Sequence, residues 1–135
     1  MGVYALTSQY TSINSVDYSG DLKSSTLVVD AAQLDTTDFA SGGWVEYIGG
    51  LKSGTLALEF QDDVADSALD DEWWALLGTV VAFEVRPTSA SVGAGNPKYT
   101  GNVLITTHSI GGSVGDLAMK SVTVPTSGAI TRAEA

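Results

Sequence analysis

The chain contains no cysteine. That excludes a disulfide scaffold, a cysteine-ligated zinc site and a thiol nucleophile. Bases are scarce, with six Lys and Arg against sixteen Asp and Glu, for a formal net charge of −10. The six (Lys23, Lys52, Arg86, Lys98, Lys120, Arg132) are scattered, so no basic patch exists to grip nucleic-acid phosphates. There is one histidine, His108. A catalytic or metal-bound histidine needs partners, so His108, in an expected strand, is read as structural or exposed. No apolar run approaches the roughly 20 residues that span a bilayer, and the opening residues lack a basic n-region, so neither a membrane segment nor a signal peptide is expected. No G-x-S-x-G elbow singles out a serine. These absences leave a non-enzymatic reading, with no cofactor and no metal expected.

What is present is the texture of an antiparallel β domain. Across 135 residues, 44% are hydrophobic, enough for a single core, and turn residues recur between short runs of Val, Ile, Leu, Thr and aromatics. Leu56, Leu58 and Phe60 alternate with Ala57 and Glu59; Val81, Phe83 and Val85 alternate with Ala82, Glu84 and Arg86. Successive strand side chains point to opposite faces, so each run has one apolar and one wetter face. Leu27 to Asp30 and Trp44 to Ile48 read as further strands, as do 99–110 and 117–124. In the last of these, Leu117 and Met119 fall on one parity and Val122 and Val124 on the other, which a bulge near Lys120-Ser121 would reconcile. The first 18 residues are expected to give one or two strands.

One segment has a different period. Leu69, Trp73, Leu76 and Leu77 mark a helix face over about residues 67–77. Ser67 and Asp70 resemble a capping box, Asp70, Asp71 and Glu72 suit the positive end of the helix dipole, and Gly78 suits its left-handed end. On the wheel, Trp74 lies about 140° from Leu69, off the core face, which makes it an inter-subunit candidate. The architecture expected is therefore mainly β: an antiparallel β-sandwich or barrel in one domain, with one flanking α-helix.

Other chemical readings are weak. The acidic stretch from Gln61 to Glu72 lacks the EF-hand glycine and its bidentate Glu. Glu59 and Glu84 would act as a glycosidase pair only if their strands brought them together. Gly93-Ala94-Gly95 leads into a strand rather than a helix, so it does not cradle phosphate. Exposed Trp44 and Trp74 on one face would suit a carbohydrate- or cell-surface-binding module.

The order of motifs is more specific than any one of them. Leu34-Asp35-Thr36-Thr37-Asp38-Phe39 is followed by Gly50-Leu51-Lys52-Ser53-Gly54-Thr55, then the acidic helix, then Pro97-Lys98-Tyr99-Thr100-Gly101, and finally Ser127-Gly128-Ala129-Ile130-Thr131-Arg132. Over roughly residues 25–132 this resembles the major tail tube proteins of long-tailed, non-contractile bacteriophages. The resemblance implies hexameric rings stacked into a hollow tube that conducts the genome, part of the virion tail and assembled in the host cytoplasm. Inner strands of six subunits would join into one lumen-lining barrel. It further implies a ring-stacking loop at Asp35, Thr36, Thr37, Asp38 and Phe39, extending to Gly43, with residues 1–10 and 128–135 as possible terminal arms. Glu59 and Glu84, with Glu46 and Arg86, become lumen-facing candidates, and Arg86, on the parity of Glu84, is also a candidate for an ion pair between subunits. The implied partners are further copies of the chain, tail tip and tail terminator proteins, and a tape measure protein in the lumen; DNA would pass without specific binding. A capsid decoration or tail-terminator protein is the other virion reading.

Overall fold

A computed structural model describes residues 3–64 and 68–134. The element order is β1 (Tyr10–Ile13), β2 (Val16–Asp17), β3 (Leu22–Asp35), a 3-10 turn (Phe39–Ser41), β4 (Tyr47–Gln61), α1 (Leu69–Leu76), β5 (Val80–Arg86), β6 (Lys98–Leu104), β7 (Met119–Pro125) and β8 (Thr131–Ala133). The strands form two antiparallel sheets, β2-β1-β5-β6-β8 and β3-β4-β7. Mainly antiparallel β with a single helix is the architecture the alternation predicts.

The two sheets close over one core. Ile13, Val81, Phe83, Val85 and Val103 come from the five-stranded sheet, and Leu56, Leu58, Phe60, Val122 and Val124 from the three-stranded one. Leu69 and Trp73 of α1 cap this core, where Tyr18, Phe60 and Trp73 meet edge to face with ring centroids 5.5–6.4 Å apart. Such contacts add about 0.5–1.5 kcal/mol each to the burial of the rings. Tyr18 donates its hydroxyl hydrogen to Glu72 Oε2 at 2.6 Å, and Trp73 Nε1 donates to the Thr107 carbonyl at 2.8 Å, so neither polar tip is stranded inside.

The N-terminal strands form the tightest kind of hairpin. Asn14 and Ser15 both have positive φ, 54° and 65°, the two-residue turn whose twist matches its strands.

Several boundaries differ from the expectation. The helix covers Leu69–Leu76; its N-terminal flank is Ala68, and the Ser67 half of the expected capping box lies outside the described residues. Gly78 does take the left-handed conformation, φ 86°. Leu77 faces solvent instead of the core, because the chain has already left helical geometry there (φ −55°, ψ 125°). No separate strand runs from Trp44 to Ile48: β4 begins at Tyr47 and passes straight through Gly49-Gly50. A register shift opposite, between Ala31 and Gln33, absorbs the irregularity, and a Cβ on Gly50 would stand 3.2 Å from the Leu34 and Ala32 side chains.

β6 stops at Leu104. His108 therefore lies in the following loop rather than in a strand. No bulge interrupts β7, whose pairing with β4 runs unbroken from Gln61↔Met119 to Thr55↔Pro125. The core parity is Lys120, Val122 and Val124, and the apparent change of phase arises because its first member is a lysine. The C-terminal segment is docked: Thr131–Ala133 pairs with β6, and Ile130 lies against Gly54 and Gly101, so that a Cβ on Gly54 would stand 2.9 Å from its side chain.

Candidate assembly surfaces

β3 and β4 outrun the core. Facing pairs from Ser25↔Leu58 to Leu27↔Leu56 sit over the other sheet, but from Val28 to Asp35 every β3 residue is exposed. On β4, Gly54 is the last buried position toward the tip, and seven residue steps of about 3.3 Å carry the ribbon roughly 23 Å farther to Tyr47. Side chains on both faces of this ribbon are wet: Val28, Val29, Leu34, Tyr47, Ile48 and Leu51, the last 87% exposed. An isolated two-stranded ribbon is marginal in water, and an apolar one invites a partner.

The tip is apolar yet internally braced. Asp38 Oδ1 accepts from Ala40 N at 2.9 Å and from the Ser41 hydroxyl at 3.2 Å, while Asp38 N donates back to Ser41 Oγ at 3.1 Å. The Asp35 carboxylate accepts from Thr37 N at 2.8 Å, and hydrogen bonds from Thr37 hold its pKa below the usual carboxylate value. Thr37 Oγ1 accepts from Glu46 N at 2.8 Å, and Thr36 N donates to the Glu46 carbonyl at 2.9 Å. Gly42 and Gly43, at φ 66° and 85°, turn the chain back where a side chain would be strained. The loop thus presents Phe39, fully exposed at 110%, and Trp44, at 78%, on a fixed frame. Asp35, Thr36, Thr37, Asp38 and Phe39 lie together here as neighbours in the chain, and the register of the ribbon adds Glu46 to them.

The three-stranded sheet has an outer face of small polar side chains. Register aligns Ser24, Glu59 and Ser121 in one row and Thr26, Ala57 and Thr123 in the next. Glu59 is the acid in these rows. Among the described residues, β3 and β7 pair along their length with β4 alone, so each leaves an edge open; a side-chain bond from Gln9 Nε2 takes the Ser25 carbonyl at 3.0 Å. Residues 3–8 are exposed and outside any strand.

Glu84 and Arg86 lie elsewhere. They project from the outer face of the five-stranded sheet, since Phe83 and Val85, which alternate with them, are in the core. Glu59 and Glu84 are thus on opposite outer faces, which removes both the glycosidase pairing and a single lumen wall carrying both. Arg86 meets Glu84 of its own chain, Nε to Oε2 2.8 Å, in a bent electrostatic contact, and its guanidinium lies 3.9 Å over the Tyr10 ring. This pair forms within one subunit, where the sequence reading had one between subunits.

Trp74 is 63% exposed, as its wheel position predicts, with its ring edge-on to His108 at 5.1 Å. It sits at the α1 end of β4, while Trp44 sits beyond the ribbon end. Fourteen residue steps of about 3.3 Å put the two ends of β4 roughly 45 Å apart, so the two indoles do not form one sugar platform.

Beneath α1 lies a polar cluster that the hydrophobic pattern concealed. Lys120 is wholly buried, with Asp70 at 3.1 Å, Asp62 at 3.7 Å, His108 at 3.4 Å and the Ser109 carbonyl as a further hydrogen-bond acceptor. The Lys120 ammonium, with His108 adding to it, holds the Asp70 pKa below the ordinary carboxylate value. Burial, reinforced by Glu72, raises that of Tyr18. The signal for this cluster was the parity break at Lys120. Among the described residues, no group of three His, Cys, Asp or Glu is placed to hold a metal ion.

Fold and surfaces together define a two-sheet β domain with open strand edges and a braced apolar ribbon. No protein-family model and no curated protein sequence matches the chain. Among solved structures it shares its fold, at TM-score 0.67 and 22% identity, with a chain in the virion of a native gene transfer agent particle, over 83% of this chain and 84% of that one. It matches equally, at TM-score 0.67 and 22% identity, a chain in the tail of an empty gene transfer agent particle with C6 symmetry, over 82% and 81%.

Proposed function

We propose that the chain is a structural subunit of a phage-like tail tube, assembling as homohexameric rings that stack around a lumen for the genome. The observation that carries this reading is the β3–β4 ribbon. It exposes apolar side chains on both faces, holds its tip rigid, and has no use within one subunit. A shared fold with a chain from a C6-symmetric tail supports the same conclusion.

The open edges of β3 and β7 suit strand pairing between neighbours, and closed rotational symmetry satisfies every such edge. The three-stranded sheet then lines the lumen. Its Ser, Thr and Ala rows offer DNA no cation to hold, and Glu59 repels phosphate. Glu84 and Arg86 face outward in this arrangement. Six copies, each at −10, repel one another, so apolar burial at the ribbon and backbone pairing at the edges must outweigh that repulsion. The ribbon tip, from Asp35 to Gly43, docks on the adjacent ring. Tail tip and terminator proteins would meet the two ends of the tube, and a tape measure protein would occupy it before DNA does.

Electron microscopy of the concentrated protein tests this. Tubes with a regular axial repeat and six-fold end views are expected. Isolated rings would favour a terminator role, and a monodisperse monomer at high concentration would refute self-assembly.

A further inference from the structure

The ribbon tip needs a seat, and the opposite end of β4 offers two apolar surfaces. One is the flank of α1, where Trp74 and Leu77 are exposed. The other is the loop between β6 and β7, where Ile110, Val114 and Leu117 are exposed. Register puts this loop at the far pole from the tip. β7 starts at Met119, opposite Gln61 at one end of β4, whereas Tyr47 at the other end faces Asp35. β3 also starts at the far pole, with Leu22 opposite Phe60.

Charge separates the two surfaces. The tip, residues 35–47, carries Asp35, Asp38 and Glu46 and no base. The flank of α1 carries Asp70, Asp71 and Glu72 in its first turn, and Asp21 there already feels Asp63 and Glu72. The ammonium beneath it, that of Lys120, is wholly buried. An acidic tip brought to this flank meets like charge. The loop differs. With Lys23 and Met119 it encloses a hollow of about 520 Å³, lined further by Gly111, Gly112, Asp116 and Leu117. A space of that size takes a small ligand, so it has room for a phenyl ring. A Cβ on Gly111 or Gly112 would meet no neighbour, so the glycine wall is open. Lys23 falls in the register shift between Leu22 and Ser24, is exposed, and belongs to no ion pair among the described residues.

We propose that the hollow between Lys23 and the 110–117 loop seats the ribbon tip of a second copy, with Phe39 entering against Leu117 and Met119 and the Glu46 carboxylate meeting the Lys23 ammonium. Glu46 is the acid available for this, because its side chain has no partner, whereas Asp35 and Asp38 are engaged by their own loop. The seat presupposes the stacked rings proposed above; what it adds is the surface that receives the tip. Tip and seat are different surfaces at opposite ends of one subunit, so the contact is head-to-tail and repeats from ring to ring without closing.

The chain has no cysteine, so introduced pairs report contact without background. Ala40→Cys lies beside Phe39, Ser113→Cys on the loop and Ala75→Cys beside Trp74, all at exposed positions. Treated with a short thiol-reactive cross-linker after assembly, A40C/S113C is expected to give a ladder longer than a hexamer on denaturing gels, and A40C/A75C to stay monomeric. Lys23→Glu should raise the protein concentration at which tubes form by at least about tenfold, since the reversed charge acts six times per ring. Its melting temperature should not change, and adding Glu46→Lys should restore the threshold. Tubes of K23E at the wild-type threshold, tubes without the A40C/S113C ladder, or a ladder through A40C/A75C would each overturn the seat and leave the tube standing. A wild-type chain that forms no tubes overturns both.

Discussion

Phe39→Ala separates folding from assembly, because the residue touches nothing in its own subunit. Its side chain is fully exposed, so the isolated chain should lose no more than about 0.5 kcal/mol, the range for surface changes away from special features. Seated in a neighbouring ring, the same side chain would bury most of its surface. Burial of a phenylalanine is worth about 1.5–3 kcal/mol, and truncation to alanine forfeits about 2. Six tips per ring would bring this to about 12 kcal/mol per stacking step; even half, about 6 kcal/mol, lowers the stacking constant by about four orders of magnitude at 1.4 kcal/mol per tenfold. Sedimentation velocity and negative-stain microscopy across a concentration series read the result directly: rings should persist and tubes vanish, with an unchanged melting temperature. Tubes at the wild-type threshold would refute the role assigned to the tip. A large fall in melting temperature would refute the claim that the tip is idle in the monomer.

Lys120→Met should destabilise the domain by about 3–5 kcal/mol in urea unfolding, because Asp62 is left buried without its cation, and adding Asp62→Asn should recover part of the loss. The Asp70 carboxyl has a lowered pKa in the folded state, so its stabilisation is full above the ordinary carboxylate range and is lost as pH falls through its folded pKa; melting temperature from pH 6 to 2 should fall less steeply in Asp70→Asn than in the wild type. Tyr18 has a raised pKa, so its contribution is intact below about pH 10 and lost as pH rises beyond it. Alkaline unfolding followed by circular dichroism should therefore move to higher pH in Tyr18→Phe.

Much of the architecture was legible because alternation is a local signal. The parity of 56–60 and 81–86 located both inner faces, and the 3.6-residue period located α1. What escaped had two physical origins. Lys120 occupies a core position by virtue of partners 11 to 58 residues away in the chain, and residue-by-residue hydropathy reads such a lysine as a change of face. The glycine pair at 49–50 signals a break when taken alone, but inside β4 its second member, Gly50, makes room for the Leu34 side chain across the ribbon. At the surfaces, the tip residues taken as a group do share one exposed loop, whereas Glu59 and Glu84 share a parity rule without sharing a sheet. Alternation says which residues of one strand point together; only the pairing of strands says which sheets face which way.

One strand, β4, serves two masters. From Leu56 onward its even positions fill the core, and any change there is felt by the subunit itself. From Ser53 back to Tyr47 the same strand meets only β3 and solvent. Mutations in the first stretch should surface as insoluble protein, and mutations in the second as soluble protein that builds nothing. The two halves are free to drift at different rates, the inner one tied to its own fold and the outer one only to whatever it touches in another copy.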